Sequence, residues 1–212
     1  MPRYALPLTR PGQTIGLLGG SFDPPHAGHL HISREALKRF ALDQLWWLVS
    51  PGNPLKSQGP AAMDRRLDAA RALVDHPRIH VTDFERQANV RYTAQTIAKL
   101  QAARPQLRFV WLMGADNLAQ FHRWQDWNDI MARVPVGVLA RPGKRTMART
   151  SKTARIYAHA RLPGRLSQRL ADLQAPAWCF VNVPMRAISS TALRQSGAWP
   201  DDTAPMPPPA KT

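Results

Sequence analysis

Gly19-Gly20-Ser21-Phe22-Asp23-Pro24-Pro25-His26-Ala27-Gly28-His29-Leu30 is the stretch around which the rest of the chain is organised. A short apolar run, Ile15 to Leu18, leads into it, and a helix-like segment, Leu30 to Phe40, leads out, so it reads as a strand, a tight loop and a helix start. Glycine carries no Cβ and tolerates positive φ, which lets backbone approach a ligand closely, and the open N–H groups of a helix start attract anions. That geometry suits a phosphate. His26 and His29, three residues apart, are expected at the solvent-accessible mouth of the loop, where imidazole can hydrogen-bond or carry charge near neutral pH. Together these features point to a nucleotide.

Neither a Walker A pattern nor a Gly-x-Gly-x-x-Gly fingerprint occurs in the chain, so the common phosphate and dinucleotide loops do not compete with this reading. Working outward, the flanking sequence alternates strand-like and helix-like runs. Leu45 to Val49, Phe109 to Met113, Val136 to Ala140 and Trp178 to Val183 are short apolar runs of the kind that a parallel strand covered on both faces shows, and Ile79 to Thr82 is a further short strand candidate. Between them, Met63 to Val74, Thr93 to Ala103 and Trp127 to Arg133 have helical spacing, and Ile188 to Arg194 opens a last short helix with hydroxyl residues suited to its cap. Alternation of this kind implies βαβ units, and the handedness of their crossovers makes the expected fold α/β, a Rossmann-like parallel sheet flanked by helices. The Pro/Gly loop from Ser50 to Lys56 falls at the carboxyl end of a strand, where such sheets bind ligands.

The 212 residues, 44% hydrophobic and 20% charged, suffice for one well-buried domain. We expect an irregular lead-in over 1–14, a single domain over 15–199 and a proline-rich, disordered tail over 200–212. No apolar run approaches the roughly 18 residues of a membrane span, and Met1 to Thr14 lacks the core of a signal peptide, so a soluble cytoplasmic protein is expected. The single cysteine, Cys179, excludes an internal disulfide, and its place in an apolar run argues against a nucleophile. Twenty-nine Lys plus Arg against 14 Asp plus Glu give a formal charge of +15, which favours polyanions. Over 141–170 there are nine basic residues and no acidic one, and we read this segment as a solvated basic insert. An RNA-binding protein on a nucleotide-binding scaffold is the alternative from another class; with Tyr157 as the segment's only aromatic, nucleic acid is the weaker reading.

The string from Gly19 to His29 closely resembles the Gly-Gly-[Thr/Ser]-Phe-Asp-Pro-x-His-x-Gly-His signature of adenylyl-transferring nucleotidyltransferases. Four further stretches follow in order: Pro51 to Lys56; Tyr92 to Thr96; Gly114 to Leu118 with Trp124 and Trp127; and, after Arg141-Pro142-Gly143, Ile188 to Thr191 with Arg194. From Ile15 to Arg194 the chain thus resembles the nicotinate-nucleotide adenylyltransferases. The resemblance implies a nucleotidyltransferase-type fold and transfer of the adenylyl group of ATP to nicotinate mononucleotide, with Mg2+ held mainly through the ATP phosphates and no metal ligands from the protein. No protein nucleophile is implied. A homo-oligomer stays open.

By the same resemblance His26, His29 and Arg194 serve the chemistry, and Gly19, Gly20, Ser21, Phe22, Gly114, Asp116, Ile188, Ser189, Ser190 and Thr191 bind ATP. Lys56, Thr93 and Trp124 bind nicotinate mononucleotide, Trp124 by stacking on its ring; for Asp116 a helix N-cap is the alternative role. The chain departs from the family pattern at Leu55, where many members carry histidine, and at Arg91, where many carry serine. The segment facing the ring offers N–H and hydroxyl groups but no matching acid, so the anionic acceptor is expected to be preferred. Adenylyl transfer to nicotinamide mononucleotide or phosphopantetheine is the alternative within the superfamily.

Overall fold

The structure is a computed structural model that describes residues 4–52, 60–140, 148–184 and 189–199. Seven strands form one sheet: β1 (Thr14–Gly20), β2 (Gln44–Val49), β3 (Ile79–Thr82), β4 (Arg108–Gly114), β5 (Val136–Ala140), β6 (Arg161–Leu162) and β7 (Trp178–Asn182). Every pairing is parallel and the order is β3-β2-β1-β4-β5-β7-β6. Because side chains alternate along a strand, the near-continuous apolar runs supply two cores at once. Ile15, Leu17, Trp46, Phe109, Trp111, Val136 and Trp178 face one side, and Leu18, Leu45, Trp47, Val110, Leu112 and Cys179 face the other.

Helices cover both faces. On the Trp47 side lie α1 (Ala27–Arg39) and α2 (Met63–Leu73), burying Leu30, Ala36 and Leu37 from the first and Leu67 and Ala70 from the second. On the Trp46 side lie α3 (Phe84–Gln87), α4 (Thr93–Ala103), α5 (Ala115–Gln120) and α6 (Trp127–Arg133), with Phe84, Ala94, Ile97, Leu118 and Ile130 pointing in. The connection after β1 therefore turns to one face and the connection after β4 to the other. Between two adjacent parallel strands, that divergence opens a crevice at their carboxyl ends. Gly19 sits there by necessity, since a Cβ on it would stand 2.5 Å from the Trp111 ring.

Several elements differ from the sequence reading. Helix α1 starts at Ala27, three residues before Leu30, because His26 caps it. The short α3 and α5 escape notice since four and six residues hold too few periods to register. The described part of the basic stretch, 148–170, is built into the sheet rather than appended to it. It contains α7 (Lys152–Ile156), edge strand β6 paired to β7, and the start of a 3-10 run, Gly164–Asp172, in which Leu170 is fully buried. Its charges are solvated while its apolar residues cover the last strands. No described helix is long and apolar enough to cross a membrane.

Candidate active site

The β1–α1 loop is shaped by its aromatic residues. Phe22 takes φ +48, costly for a residue with a Cβ, and is held there by burial (2% exposed) and by stacking on Trp47, ring centroids 4.7 Å apart. His29 packs against the same pair, 5.0 Å from Phe22 and 6.0 Å from Trp47. Ser33 completes the support: its hydroxyl donates to the His29 carbonyl and accepts from Trp47 Nε1, both at 2.8 Å.

Both histidines then close the helix start. Nδ1 of His26 accepts from the Gly28 N–H at 3.1 Å and Nδ1 of His29 accepts from the His26 N–H at 3.2 Å, a reciprocal cap that uses imidazole where serine and glutamate are usual. A nitrogen that accepts carries no proton, so in each ring the proton sits on Nε2. Their ring centroids are 3.9 Å apart. One expectation is corrected: His26 is buried, 9% exposed, because a capping side chain folds back over its own helix; His29 is half-buried.

A buried arginine and the chain's last described helix fix the loop from two sides. Arg66 on α2, 1% exposed, donates Nη1 to the carbonyls of Ser21 (2.6 Å) and Ser50 (2.8 Å) and Nε to that of Ala61 (2.7 Å), tying the turns after β1 and β2 together. Helix α8 (Ser190–Gln195) is capped by Ser189, whose hydroxyl accepts from the Ala192 N–H at 3.2 Å. Ser190 Oγ donates to the Pro24 carbonyl at 2.9 Å, Thr191 Oγ1 accepts from Arg194, and Arg194 donates to the Asp23 carbonyl and pairs with its carboxylate at 3.5 Å. Trp199 Nε1 donates to Asp23 Oδ1 at 2.8 Å, with the Arg65 guanidinium 4.0 Å over the Trp199 ring. The groups expected to bind phosphate thus also moor α8 to the Asp23-Pro24 turn.

On the other side of Gly19, Gly20 and Ser21 lies a cavity of about 340 Å³. Thr93 and Trp124 line it together with Trp111, Asn117, Tyr92, Arg91 and Arg123. Trp124 is set edge-on to Phe121 (5.2 Å) and Trp111 (6.3 Å), and the buried Trp111 Nε1–H finds no acceptor among the described residues. Gly114 and Asp116 stand at the end of β4 and in the first turn of α5, outside this wall; Gly114 holds the N-cap position, so Asp116 is exposed and does not cap. Tyr92 is the N-cap residue of α4. Lys56, Leu55 and Ile188 lie outside the described residues. Cys179 is fully buried, and burial pushes its thiol up to about 11, so it offers no thiolate.

The sequence reading missed an acid in this cavity. Glu85 on α3, 5% exposed, lines it beside Thr93, and its Oε1 accepts from Thr96 Oγ1 at 2.9 Å. Burial pushes its carboxyl up to about 7, with the Thr96 hydroxyl pulling the other way. It also missed Arg66 and Trp199. A charged residue at an inward position of the Met63–Val74 helical pattern is the signal that could have found Arg66; Glu85 and Trp199 lie in stretches too short for a period.

Comparison with known proteins places the chain in a family. The model of the cytidylyltransferase-like family matches residues 17–196. A protein of Ruegeria pomeroyi named probable nicotinate-nucleotide adenylyltransferase is 61% identical over 93% of this chain and 92% of its own. One of the same name from Methylorubrum extorquens is 51% identical over 85% of this chain and 98% of its own. Among solved structures, Plasmodium falciparum nicotinic acid mononucleotide adenylyltransferase complexed with NaAD superposes with a TM-score of 0.66, covering 86% of this chain and 83% of that one at 15% identity, a likeness of fold.

Proposed function

The chain belongs to the cytidylyltransferase-like family and, within it, to the nicotinate-nucleotide adenylyltransferases, and from this premise we propose how its residues carry the reaction. The enzyme transfers the adenylyl group of ATP to nicotinate mononucleotide in NAD biosynthesis. An oxygen of the mononucleotide phosphate attacks the α-phosphorus, the bond from that phosphorus to the bridging oxygen breaks, and pyrophosphate leaves with the electron pair. Nicotinate adenine dinucleotide is the other product. No step needs a protein nucleophile, so the protein contributes alignment and charge.

The observation that carries this assignment of roles is that two ligand environments share one loop. Gly19, Gly20 and Ser21 border the Thr93–Trp124 cavity, and the same loop runs on into the His26–His29 cap. With the mononucleotide ring in the cavity, its phosphate reaches the glycines, while the triphosphate lies along the start of α1. His26 and His29 offer Nε2–H donors to oxygens that gain charge as the bridging bond breaks. Ser189, Ser190, Thr191 and Arg194 border the same turn and take the outer phosphates, with Phe22 shaping the loop and Ile188 completing the segment. Gly114 and Asp116, at the carboxyl end of β4, meet the adenosine ribose. Thr93 and Trp124 hold the pyridine ring, and Lys56 adds a cation to the mononucleotide phosphate.

Enzymes of this family use ATP and typically a divalent metal. Among the described residues no three His, Cys, Asp or Glu side chains come together as a metal site, and Asp23, within the β1–α1 loop, is engaged by Arg194 and Trp199. That donor set fits Mg2+ carried by the phosphates of ATP, where it would neutralise charge on the leaving pyrophosphate. A cytoplasmic setting follows from substrates of this kind. The test is pyrophosphate release with ATP and nicotinate mononucleotide, nicotinamide mononucleotide or phosphopantetheine. Highest kcat/KM with the first is expected, and a better rate with either of the others would overturn the acceptor assignment.

A further inference from the structure

Glu85 places a carboxyl group in the cavity to which the acceptor brings another. Glu85 is 5% exposed, its side chain's hydrogen-bond partner is the neutral Thr96 hydroxyl at 2.9 Å, and no described cation pairs with it. The same Thr96 hydroxyl lies 3.2 Å from the carbonyl of Tyr92, next to Thr93, so the acid is joined through one side chain to the segment that meets the ring. We propose that Glu85 is a specificity-determining residue of the acceptor site, which takes up nicotinate mononucleotide only while Glu85 is a neutral acid. The proposal rests on the Thr93–Trp124 cavity being the ring pocket.

The physics is that of two carboxylates in about 340 Å³. Like charges about 7 Å apart at an effective dielectric of about 20 disfavour joint occupancy on the order of 50-fold. A protonated Glu85 removes that repulsion and adds an O–H donor, whereas the neutral amide of nicotinamide mononucleotide is indifferent to the charge. Burial, which raises this carboxyl to about 7, keeps the neutral form accessible near neutral pH. The charged groups around Glu85 are Arg91 and Arg123 on the cavity wall, both exposed; Lys99 on α4, bound to the Ala88 carbonyl at 2.6 Å; and, on α3 and its cap, Arg86 and Asp83, paired at 2.6 Å. His80 on β3 has its pKa lowered by burial, so it stays neutral over the relevant range.

The experiment measures kcat/KM of the full-length enzyme for nicotinate and nicotinamide mononucleotides from pH 6.5 to 9 at saturating ATP. The two acceptors share phosphate and ribose, so their ratio isolates the ring substituent. For the wild type the ratio should fall about tenfold between pH 7 and 8.5, mainly through KM for nicotinate mononucleotide. Glu85→Gln, which keeps the acceptor oxygen for Thr96, should hold the ratio constant. A constant wild-type ratio, or the same fall in Glu85→Gln, overturns the proposal. Two measurements stand in if that variant does not fold. Thr96→Val, losing the bond that stabilises the carboxylate, should move the fall to higher pH, and an unmoved midpoint counts against Glu85. Wild-type calorimetry at pH 8 in buffers of different ionisation heat should show proton uptake with nicotinate mononucleotide beyond that with nicotinamide mononucleotide; equal uptake also overturns it. Failure of the underlying assignment looks different: nicotinamide mononucleotide or phosphopantetheine is then the better acceptor at every pH, whereas a flat ratio favouring nicotinate mononucleotide removes only the role of Glu85.

Discussion

His29 combines two jobs that separate experimentally. Its Nδ1 closes the cap on the His26 N–H, and its Nε2 is the donor assigned to the phosphates. Losing a cap costs about 1 kcal/mol, while losing a group that stabilises developing charge costs about 10² in rate. His29→Ala should therefore lower kcat by about 10² or more with only a small drop in Tm. A protein that melts early but whose folded fraction turns over normally would assign His29 to the fold alone. Glu85 makes a second prediction, on stability. Its folded pKa, about 7, lies above the ordinary 4.5, so the folded state binds the extra proton between those values. The stability this contributes is fully present below about pH 4.5 and is lost as pH rises through about 7, in total roughly 3 kcal/mol. Thermal melts should show Glu85→Gln gaining on the wild type between pH 5 and pH 8; a constant difference in Tm would mean that Glu85 does not titrate with the fold.

Helix α8 is held to the molecule by polar contacts, and none of its six residues is buried. Segments with so little apolar contact open locally at low free energy, so Trp199 and Arg194, which grip Asp23, decide how long the helix stays docked. Trp199→Ala should raise KM for ATP several-fold, leave Tm nearly unchanged and speed amide hydrogen exchange over 190–197. Exchange there at the wild-type rate would show that Trp199 does not moor the helix. Arg66 belongs to the opposite regime. Its buried guanidinium holds the turns after β1 and β2 through carbonyls, and Arg66→Leu leaves those oxygens unpaired at a cost of roughly 3 kcal/mol, to be read from denaturant midpoints. Helix α8 was legible in the chain from the run of hydroxyls at its start. Its docking onto a turn more than 160 residues earlier was not, because hydrogen bonds between side chain and distant carbonyl leave no local periodicity.

Of the +15 charge, the part on edge strand β6 stands apart from the chemistry, whereas α7 of the same basic segment packs against α5. The crevice lies between β1 and β4, and β5 and β7 stand between β4 and the basic edge strand β6. Strands are about 4.8 Å apart, so that edge lies beyond a Debye length of about 8 Å at physiological salt. Exchanging the exposed Arg165 and Arg169 for glutamine should leave kcat/KM for both substrates within about twofold at 0.15 M salt. A tenfold loss would mean that the basic edge takes part in substrate capture.

The architecture was readable from the chain alone because a parallel strand buried on both faces must be apolar throughout, and Leu45 to Val49, Phe109 to Met113 and Val136 to Ala140 are. Gly19 to His29 likewise announced a strand, a tight loop and a helix start, which the structure has in that order. Where each side chain spends its hydrogen bonds was decided only in three dimensions. His26 turned inward to cap α1, Asp23 became the anchor for Arg194 and Trp199, and Glu85 came to share a cavity with Thr93. Burial and partner choice depend on which distant segments the sheet brings together, and at Glu85 it is burial, not residue type, that favours the neutral carboxyl.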